Sequence, residues 1–303
     1  MALLSKYKFW RYPLFLKIKY RIIALFEPDA INITYWLNSS VFLWSIKINP
    51  FNWGDYANMI LASMISKKNV IPYKYCKQKN SISMMGSILP WSMTSTTIVW
   101  GSGCLDSTDT QWYSAVKPQK ICSVRGPLTR EILLKHGFDC PEIYGDPALL
   151  FPRFYVPKMS KKYRFGIIFH ASTSSQSKDW FDNHNIDNSI YIDVQKFGSW
   201  RDFIDKICSC EVILSSSLHG IIIADAYLIP NVWVTLNQNE HPDNNFKFHD
   251  YFMSVKRDIN EPLMIDDVDF MNMEYYIKQY VRPTIDLDML LNSCPFYESK
   301  NQL

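Results

Sequence analysis

The sequence predicts an α/β protein made of two halves, and three observations support that fold class. The stretch from Glu211 to Pro230 has the pattern of a strand, a polar turn and a helix, and the apolar run 232–234 completes a βαβ unit. Similar strand–turn–helix junctions recur in the first half. A segment rich in proline and lysine, residues 152–162, predicts a hinge between the halves. We therefore expect one domain over residues 1–155 and a second over residues 156–303.

Length, composition and cysteine content exclude several classes of protein. The 303 residues allow one large or two medium-sized domains, and a hydrophobic fraction of 48% is ample for a core. The net charge of +3 gives no indication of nucleic-acid binding. Seven cysteines, an odd number with irregular spacing, predict free thiols in a reducing, cytosolic compartment. No uncharged apolar run reaches the roughly 18 residues of a membrane span, so a transmembrane helix is not expected.

Residues 6–26 combine basic and apolar side chains. Six Lys and Arg residues alternate there with aromatic and aliphatic ones. The charges interrupt the apolar part and no small-residue cleavage site follows, so a signal peptide is not expected. Two interpretations are open: a basic amphipathic helix that lies on an anionic membrane, and an ordinary amphipathic helix docked on the first domain.

In the first half, the alternating segment from Val41 to Ile48 predicts the first strand, and helical spacing follows from Tyr56 to Ser66. Asn52 and Asp55 lie in the turn between these elements, where they serve either as helix caps or as site residues. Further short strands are predicted at Ile82–Ser87, Thr96–Trp100 and Lys120–Val124. The glycines that follow Trp100 fall short of a dinucleotide-binding motif.

Two polar residues near later strand ends are further candidates for a site. Arg125 follows the strand that ends at Val124 and precedes a helix that begins with Pro127. An arginine at this point makes bidentate contact with a carboxylate or phosphate, or it forms a structural salt bridge. Asp146, which precedes Pro147, has the pattern of a turn or a helix cap.

The alternation of strands and helices repeats in the second half. The predicted elements are a strand at Tyr163–Phe169, a loop at 172–188, a strand at Tyr191–Val194, a helix at Ser199–Cys208 with Ser199 as its cap, the βαβ unit, a polar loop at 237–245, and helices that start at Phe246, Met273 and Leu287. The acidic run 266–269 resembles the DxD of metal-dependent glycosyltransferases. It follows no convincing apolar strand, so capping is a better interpretation than metal binding.

The turn inside the βαβ unit is where we expect an anionic ligand. Three serines, residues 215–217, precede Leu218, His219 and Gly220 at the point where a strand ends and a helix begins. Backbone N–H groups point outward at a helix N-terminus, and the helix dipole favours an anion there. The alternative role for His219 is that of a satisfied interior histidine.

These segments resemble the signature of the polysaccharide pyruvyl transferase family, in which a serine-rich strand end leads into Leu-His-Gly and a helix closed by proline. The other segments that resemble the family follow in the expected order, at residues 52–55, 124–130, 145–149 and 247–251. Together they cover roughly residues 41–255. The resemblance is nearest to the ExoV-like branch, which modifies bacterial exopolysaccharide or capsule repeats.

The resemblance implies a fold similar to that of GT-B glycosyltransferases, with two Rossmann-like domains and the active site in the cleft between them. It implies phosphoenolpyruvate as the donor and a lipid-linked oligosaccharide or glycoside as the acceptor, with a pyruvate ketal bridging two sugar hydroxyls. No cofactor, metal or nucleic acid is expected. We expect a cytoplasmic protein with peripheral contact at the inner face of the plasma membrane through residues 6–26.

For that reaction the expected catalytic residues are His219, which donates to the phosphate or acts as the acid, and Asp55, which activates a hydroxyl. The expected substrate-binding residues are Arg125, Ser216, Ser217, Leu218, Gly220, Lys247, Asn52 and Asp146. Many members of the family have arginine where this chain has Ser217. A donor-binding cation must then come from elsewhere, and Lys247 is the candidate.

Two other functions stay open. A GT-B glycosyltransferase that uses a nucleotide sugar needs an acidic nucleotide-binding residue near the C-terminal end of the second domain, and no clear glutamate stands there. A non-catalytic carbohydrate- or partner-binding relative would keep the fold without the chemistry.

Overall fold

Two five-stranded parallel sheets dominate the fold. The computed structural model describes residues 13–35, 39–42, 45–48, 52–73, 80–107, 116–237 and 245–298. The predicted α/β class is confirmed, and the two parallel sheets are consistent with two Rossmann-like domains. The GT-B-like arrangement of the halves and the domain boundary at residue 155 stay predictions.

The first half contains one of these sheets. Its strands are β1 (Ile31–Thr34), β2 (Ser39–Phe42), β3 (Ser45–Ile48), β4 (Val70–Pro72), β5 (Ser81–Ser83), β6 (Thr97–Trp100) and β7 (Lys120–Ser123), and its helices are α1 (Pro13–Phe26), α2 (Trp53–Ser66), α3 (Leu89–Ser92) and α4 (Pro127–Lys135). The strands of the parallel sheet are ordered β4-β1-β5-β6-β7, whereas β2 and β3 form a separate antiparallel hairpin. A 3₁₀ helix at Pro147–Arg153 follows.

The second half contains the other sheet, ordered β12-β11-β10-β8-β9. Its elements are β8 (Tyr163–Ile168), α5 (Ser174–His184), β9 (Ser189–Tyr191), α6 (Trp200–Cys208), β10 (Cys210–Ser215), α7 (Leu218–Ala226), β11 (Asn231–Thr235), α8 (Phe246–Ser254), β12 (Leu263–Met264), α9 (Met273–Gln279) and α10 (Leu287–Asn292), with 3₁₀ turns at Ala171–Thr173 and Ile265–Asp267.

The two sheets share one strand order. In each sheet the first strand in the chain lies between the second and the third: β1 between β4 and β5, and β8 between β9 and β10. Open α/β sheets bind ligands outside the carboxyl ends of their strands at the point where the strand order reverses. In the second half, His170 follows β8 and Ser216 follows β10, so the serine turn lies at this point.

Local sequence signals explain the elements that surround the serine turn. Ser199 and Asp202 form the predicted cap of α6: Asp202 N donates to Ser199 Oγ (3.2 Å), and Ser199 N donates to the Asp202 carboxylate (2.7 Å). Helix α7 is buried along almost its whole length, because it packs between the sheet and the 3₁₀ helix Pro147–Arg153.

Aromatic contacts join the two halves at the start of α2. The Trp53 ring stacks on Phe203 of α6 with centroids 4.6 Å apart, and Trp53 Nε1 donates to the Trp200 carbonyl (3.1 Å). The Trp53 backbone N–H donates to the Val194 carbonyl (2.8 Å). At the other end of the chain, Trp100 Nε1 in the first half donates to the Leu290 carbonyl of α10 (3.0 Å).

Three element predictions differ from the structure. The first strand of the sheet is β1 rather than 41–48, whose described residues belong to the antiparallel strands β2 and β3. The sequence of β1, INIT, alternates as a strand does, but a run of four residues is a weak signal. The predicted loop 172–188 contains α5, whose few apolar residues, such as Trp180 and Phe181, give a weak helical pattern. The strand predicted at 191–194 lies earlier, at β9.

Two further expectations concern the membrane and the cysteines. Across the part of the chain that the structure describes, no helix combines the length and the apolar character needed to cross a bilayer. Six cysteines are free thiols, and Cys76 lies outside the described residues. The predicted polar loop at 237–245 also lies largely outside them.

Candidate active site

The serine turn between β10 and α7 is built by its own hydroxyl groups. Ser215 Oγ donates to the Ser217 carbonyl (2.9 Å) and accepts from Ser217 N (3.1 Å). Ser216 Oγ accepts from His170 N (2.9 Å), which ties the turn to the end of β8. A Cβ on Gly220 would overlap Ser215 Oγ. Ser217 is the N-cap residue of α7, yet its side chain makes no capping hydrogen bond, so no side-chain cap occupies the first N–H groups of α7.

His219 lies in the first turn of α7 and contacts the start of α2 in the other half. A Cβ on Gly54 would overlap the imidazole ring, so glycine is required for this approach. The Trp53 ring lies edge-on to His219 with centroids 6.5 Å apart. His219 Nε2 is buried and has no hydrogen-bond partner in the described structure. A buried nitrogen without a partner is costly, which suits a group that binds a ligand.

Electrostatics connect His219 to two predicted cations. The pKa of His219 is lowered from 6.5 to about 4, first by burial and then by the positive charges of Arg125 and Lys247. The imidazole is therefore neutral at pH 7. Lys247 lies in the first turn of α8 and is 8% exposed. Arg125, His219 and Lys247 thus form one electropositive cluster with contributions from both halves.

Arg125 is fully buried and bonded to three protein groups. Its Nε donates to Asp250 Oδ2 (3.0 Å), one terminal nitrogen donates to Ser87 Oγ (2.5 Å), and the other donates to the Cys104 carbonyl (2.7 Å). Three of its five N–H groups therefore serve protein acceptors. The structural salt bridge that the sequence left open is present, and the role of Arg125 in substrate binding stays a prediction.

Asp146 and Asn52 both act as helix caps. Asp146 Oδ1 accepts from Ala148 N (2.9 Å) at the start of the 3₁₀ helix, while Oδ2 is buried with no hydrogen-bond partner among the described groups. Burial raises the pKa of Asp146 from 3.8 to about 6, against the opposing effects of the Ala148 amide and Arg125. Asn52 Oδ1 accepts from Gly54 N (3.1 Å) and caps α2.

The remaining predicted site residues lie near the same junction. Asp55 is half-buried in the first turn of α2, one residue after the contact between Gly54 and His219. Leu218 is buried in the core, so any contact it makes with a ligand comes from its backbone. The catalytic role of Asp55 and the binding role of Leu218 stay predictions.

Comparison with known proteins identifies the family. A model of the polysaccharide pyruvyl transferase family matches residues 84–238, which is just over half of the 303-residue chain and includes Arg125, Asp146 and His219. The chain belongs to the polysaccharide pyruvyl transferase family. The resemblance found in the sequence is thereby confirmed, and membership supports a transferase that acts in polysaccharide biosynthesis.

Individual relatives of this family member are distant. An uncharacterized protein of Acanthamoeba polyphaga mimivirus is 29% identical over 261 residues, which cover 80% of this chain and 84% of that protein. The succinoglycan biosynthesis protein ExoV of Rhizobium meliloti is 33% identical over 143 residues, 46% of this chain and 42% of that protein. A functionally uncharacterized Klebsiella pneumoniae protein of known structure aligns with a TM-score of 0.43 and 11% identity over 82% of this chain and 98% of its own.

Three residues that shape the site of this pyruvyl transferase family member were not predicted. Asp250 pairs with Arg125, Thr129 bonds to Asp250, and Ser87 accepts from Arg125. Asp250 lies in the segment 247–251 that resembles the family, but nothing in the sequence pairs it with an arginine so far away in the chain. His170 was also missed, although it stands at a predicted strand end.

The acidic run 266–269 does not contribute to this site. Asp266 accepts a hydrogen bond from Trp180 Nε1 (2.7 Å) and lies 3.8 Å from His184 Nε2. Among the residues that the structure describes, no group of three or more His, Cys, Asp or Glu side chains is arranged to hold a metal ion.

Proposed function

We propose that this chain transfers pyruvate from phosphoenolpyruvate to a sugar of a bacterial exopolysaccharide or capsule repeat unit and forms a pyruvate ketal, without a cofactor. The observation that carries the proposal is the buried, unpartnered Nε2 of His219 at the N-terminus of α7, beside the charges of Arg125 and Lys247. Such a site suits a ligand with several negative charges. Phosphoenolpyruvate carries a phosphate and a carboxylate.

The two charged groups of phosphoenolpyruvate bind at different parts of the site. The phosphate binds at the first N–H groups of α7, between His219, Ser216 and Ser217. Lys247 supplies the positive charge that an arginine at the position of Ser217 would otherwise provide. The carboxylate binds to the two N–H groups of Arg125 that protein acceptors leave over. A bound dianion raises the pKa of His219, which turns a neutral imidazole into a proton donor.

Ketal formation then needs one acid and one base. The acid protonates the methylene carbon of phosphoenolpyruvate, and positive charge develops at the adjacent carbon. One sugar hydroxyl attacks that carbon. The bond between the carbon and the phosphate oxygen breaks, and a second sugar hydroxyl then attacks the same carbon and closes the ketal ring. Of the two hydroxyl protons released, one replaces the proton given to the methylene carbon and the other leaves with the phosphate. We assign the acid to His219.

Asp55 is the proposed base that activates the sugar hydroxyl. It belongs to the first half, and the contact between Gly54 and His219 brings the first turn of α2 against the donor site. Acid and base therefore come from different halves and meet at their junction. Asn52 precedes Asp55 at the helix start and contacts the acceptor through its amide. Asp146 is a weaker candidate for this role.

A lipid-linked acceptor would place the enzyme on the inner face of the plasma membrane, and α1 is the proposed point of contact. One face of α1, with Tyr20, Ile23 and Ala24, packs on the first half, as in the docked interpretation. Apolar side chains near the end of α1 are exposed: Leu25 is 79% and Phe26 81% exposed. The helix contains three basic residues and no acidic one, which suits anionic lipid.

Incubation with phosphoenolpyruvate and a lipid-linked or synthetic glycoside, followed by mass spectrometry, tests the proposed reaction. One pyruvyl ketal added to the acceptor is the expected result. Sugar transfer from a nucleotide donor without any gain from phosphoenolpyruvate indicates a glycosyltransferase instead. Glycoside binding without any reaction indicates a non-catalytic relative.

Substitution of His219 tests the site. Because Nε2 has no hydrogen-bond partner, His219→Ala breaks no hydrogen bond of that atom and is expected to keep the fold while activity falls by about 10²-fold or more. The matched control is His184→Ala, at an exposed histidine that stacks on Trp180. Equal activity in the two variants would contradict the assignment of His219.

A further inference from the structure

Asp250 accepts three hydrogen bonds across the junction between the halves. It lies on α8 in the second half and is fully buried. Its Oδ2 accepts from Arg125 Nε (3.0 Å) and from Thr129 Oγ1 (2.7 Å), and its Oδ1 accepts from Thr129 N (2.9 Å). Thr129 lies in the first turn of α4, where the N-cap residue Gly126 has no side chain to offer. One carboxylate therefore caps α4 and binds Arg125 at the same time.

Two glycines permit this close approach. A Cβ on Gly126 would overlap the backbone carbonyl of Asp250, so α8 lies directly against the start of α4. A Cβ on Gly103 would stand 2.5 Å from the guanidinium carbon of Arg125. The guanidinium is thus enclosed by the backbone of the first half and oriented by a carboxylate from the second half.

Helix α8 also carries Lys247, one turn before Asp250. Residues three apart on a helix lie on the same side, so the helix that supplies one cation of the donor site also holds the other. A displacement of α8 would move Lys247 and would release Arg125 from its orientation. The relative position of the two cations depends on a single element of the second half.

We propose that Asp250 is a positioning residue for the donor: it holds the Arg125 guanidinium so that its two remaining N–H groups meet the carboxylate of phosphoenolpyruvate, and it keeps Lys247 in register with them. This inference rests on the proposed function. A merely structural salt bridge would affect folding, whereas a positioning residue affects the affinity for the donor in molecules that are fully folded. The two roles are therefore separable by experiment.

The test compares Asp250→Asn with Asp225→Asn, since Asp225 is an equally buried carboxylate paired with Arg257. Calorimetry measures phosphoenolpyruvate binding, steady-state kinetics give KM for each substrate, and thermal melts give stability. Asp250→Asn is expected to lower kcat/KM for phosphoenolpyruvate by about 10²-fold, since an asparagine amide misdirects the guanidinium, while KM for the acceptor changes little. Asp225→Asn is expected to lower the melting temperature and leave KM for phosphoenolpyruvate unchanged.

Milder variants at Thr129 cover the case in which Asp250→Asn does not fold. Thr129→Val removes the hydroxyl that holds Asp250 Oδ2, and KM for phosphoenolpyruvate is expected to rise about fivefold. Thr129→Ser keeps the hydroxyl and should restore the wild-type KM. The inference is wrong if folded Asp250→Asn binds phosphoenolpyruvate as the wild type does, or if Thr129→Ser is as impaired as Thr129→Val. If the wild type itself neither binds phosphoenolpyruvate nor transfers pyruvate, the proposed function fails instead.

Discussion

Two fully buried ion pairs hold this protein together in different ways. In one, Asp225 at the end of α7 accepts hydrogen bonds from Arg257 (2.7 Å), Asn231 (2.7 Å), Tyr251 (2.8 Å) and Tyr280 (3.1 Å), all from the second half. In the other, Arg125 and Asp250 join the two halves beside the serine turn.

The two pairs differ in which parts of the molecule they connect. Asp225 stands at the negative end of a helix dipole, and four donor side chains compensate its carboxylate within the second half. Arg125 uses three of its five N–H groups on protein acceptors and depresses the pKa of His219. The first pair orders the core of the second half, whereas the second pair joins the two halves beside His219.

The largest effect on stability is expected at the pair of Asp225 and Arg257. Arg257→Met leaves the Asp225 carboxylate buried without its cation, which lowers the free energy of unfolding by about 3–5 kcal/mol. KM for phosphoenolpyruvate should not change below the melting temperature, because Asp225 and Arg257 hydrogen-bond to each other and to Asn231, Tyr251 and Tyr280, and to none of the proposed donor-binding residues. Urea denaturation and steady-state kinetics at low temperature measure the two quantities. A rise in KM like that expected for Asp250→Asn would show that the two pairs are not functionally distinct.

The sequence predicted the elements with a clear apolar pattern better than the others. The βαβ unit from Glu211 to Pro230 follows a clear apolar pattern, and α6 begins with the Ser199 cap as predicted. Strand β1 was missed because it is only four residues long, although Asn32 and Thr34 alternate with its isoleucines as in a strand.

The candidate site was partly predictable for a different reason. Residues such as His219 and Arg125 follow the carboxyl ends of parallel strands, where open α/β sheets bind ligands. The partner of Arg125 was not predictable, since Asp250 is distant in the chain and local patterns carry no information on such pairing. The contact between Gly54 and His219 was missed for the same reason.

A smaller effect is expected on the pH dependence of stability, because the pKa values of His219 and Asp146 are both shifted. The pKa of His219 is lowered to about 4, so its stabilising contribution is present above pH 6.5 and is lost as pH falls towards 4. The pKa of Asp146 is raised to about 6, so its contribution is present below pH 4 and is lost as pH rises through 6. The two contributions oppose each other over the same range.

Asp146→Asn removes one of these contributions and keeps the acceptor for Ala148 N. Between pH 7 and pH 4.5 the variant should lose about 2 kcal/mol more of its unfolding free energy than the wild type does. Denaturation curves of both proteins at both pH values give this difference. The other carboxylates are the same in the two proteins, so their contributions cancel. Parallel pH profiles for the two proteins would mean that Asp146 is ionised normally and that Arg125 neutralises it.

The smallest expected effect is that of substituting Lys247. This substitution tests whether the proposed donor site contains a second cation besides Arg125. Lys247→Met removes a positive charge near His219, so the pKa of His219 should rise from about 4. The loss of one charge-assisted contact should raise KM for phosphoenolpyruvate by about tenfold. Imidazole NMR titration reports the first effect and kinetics the second. Lys278→Met, at an exposed lysine on α9, changes the net charge equally and should do neither. A shifted pKa with an unchanged KM would place Lys247 near His219 but away from the donor, and the charge missing at Ser217 would then be supplied by Arg125 and the N-terminus of α7 alone.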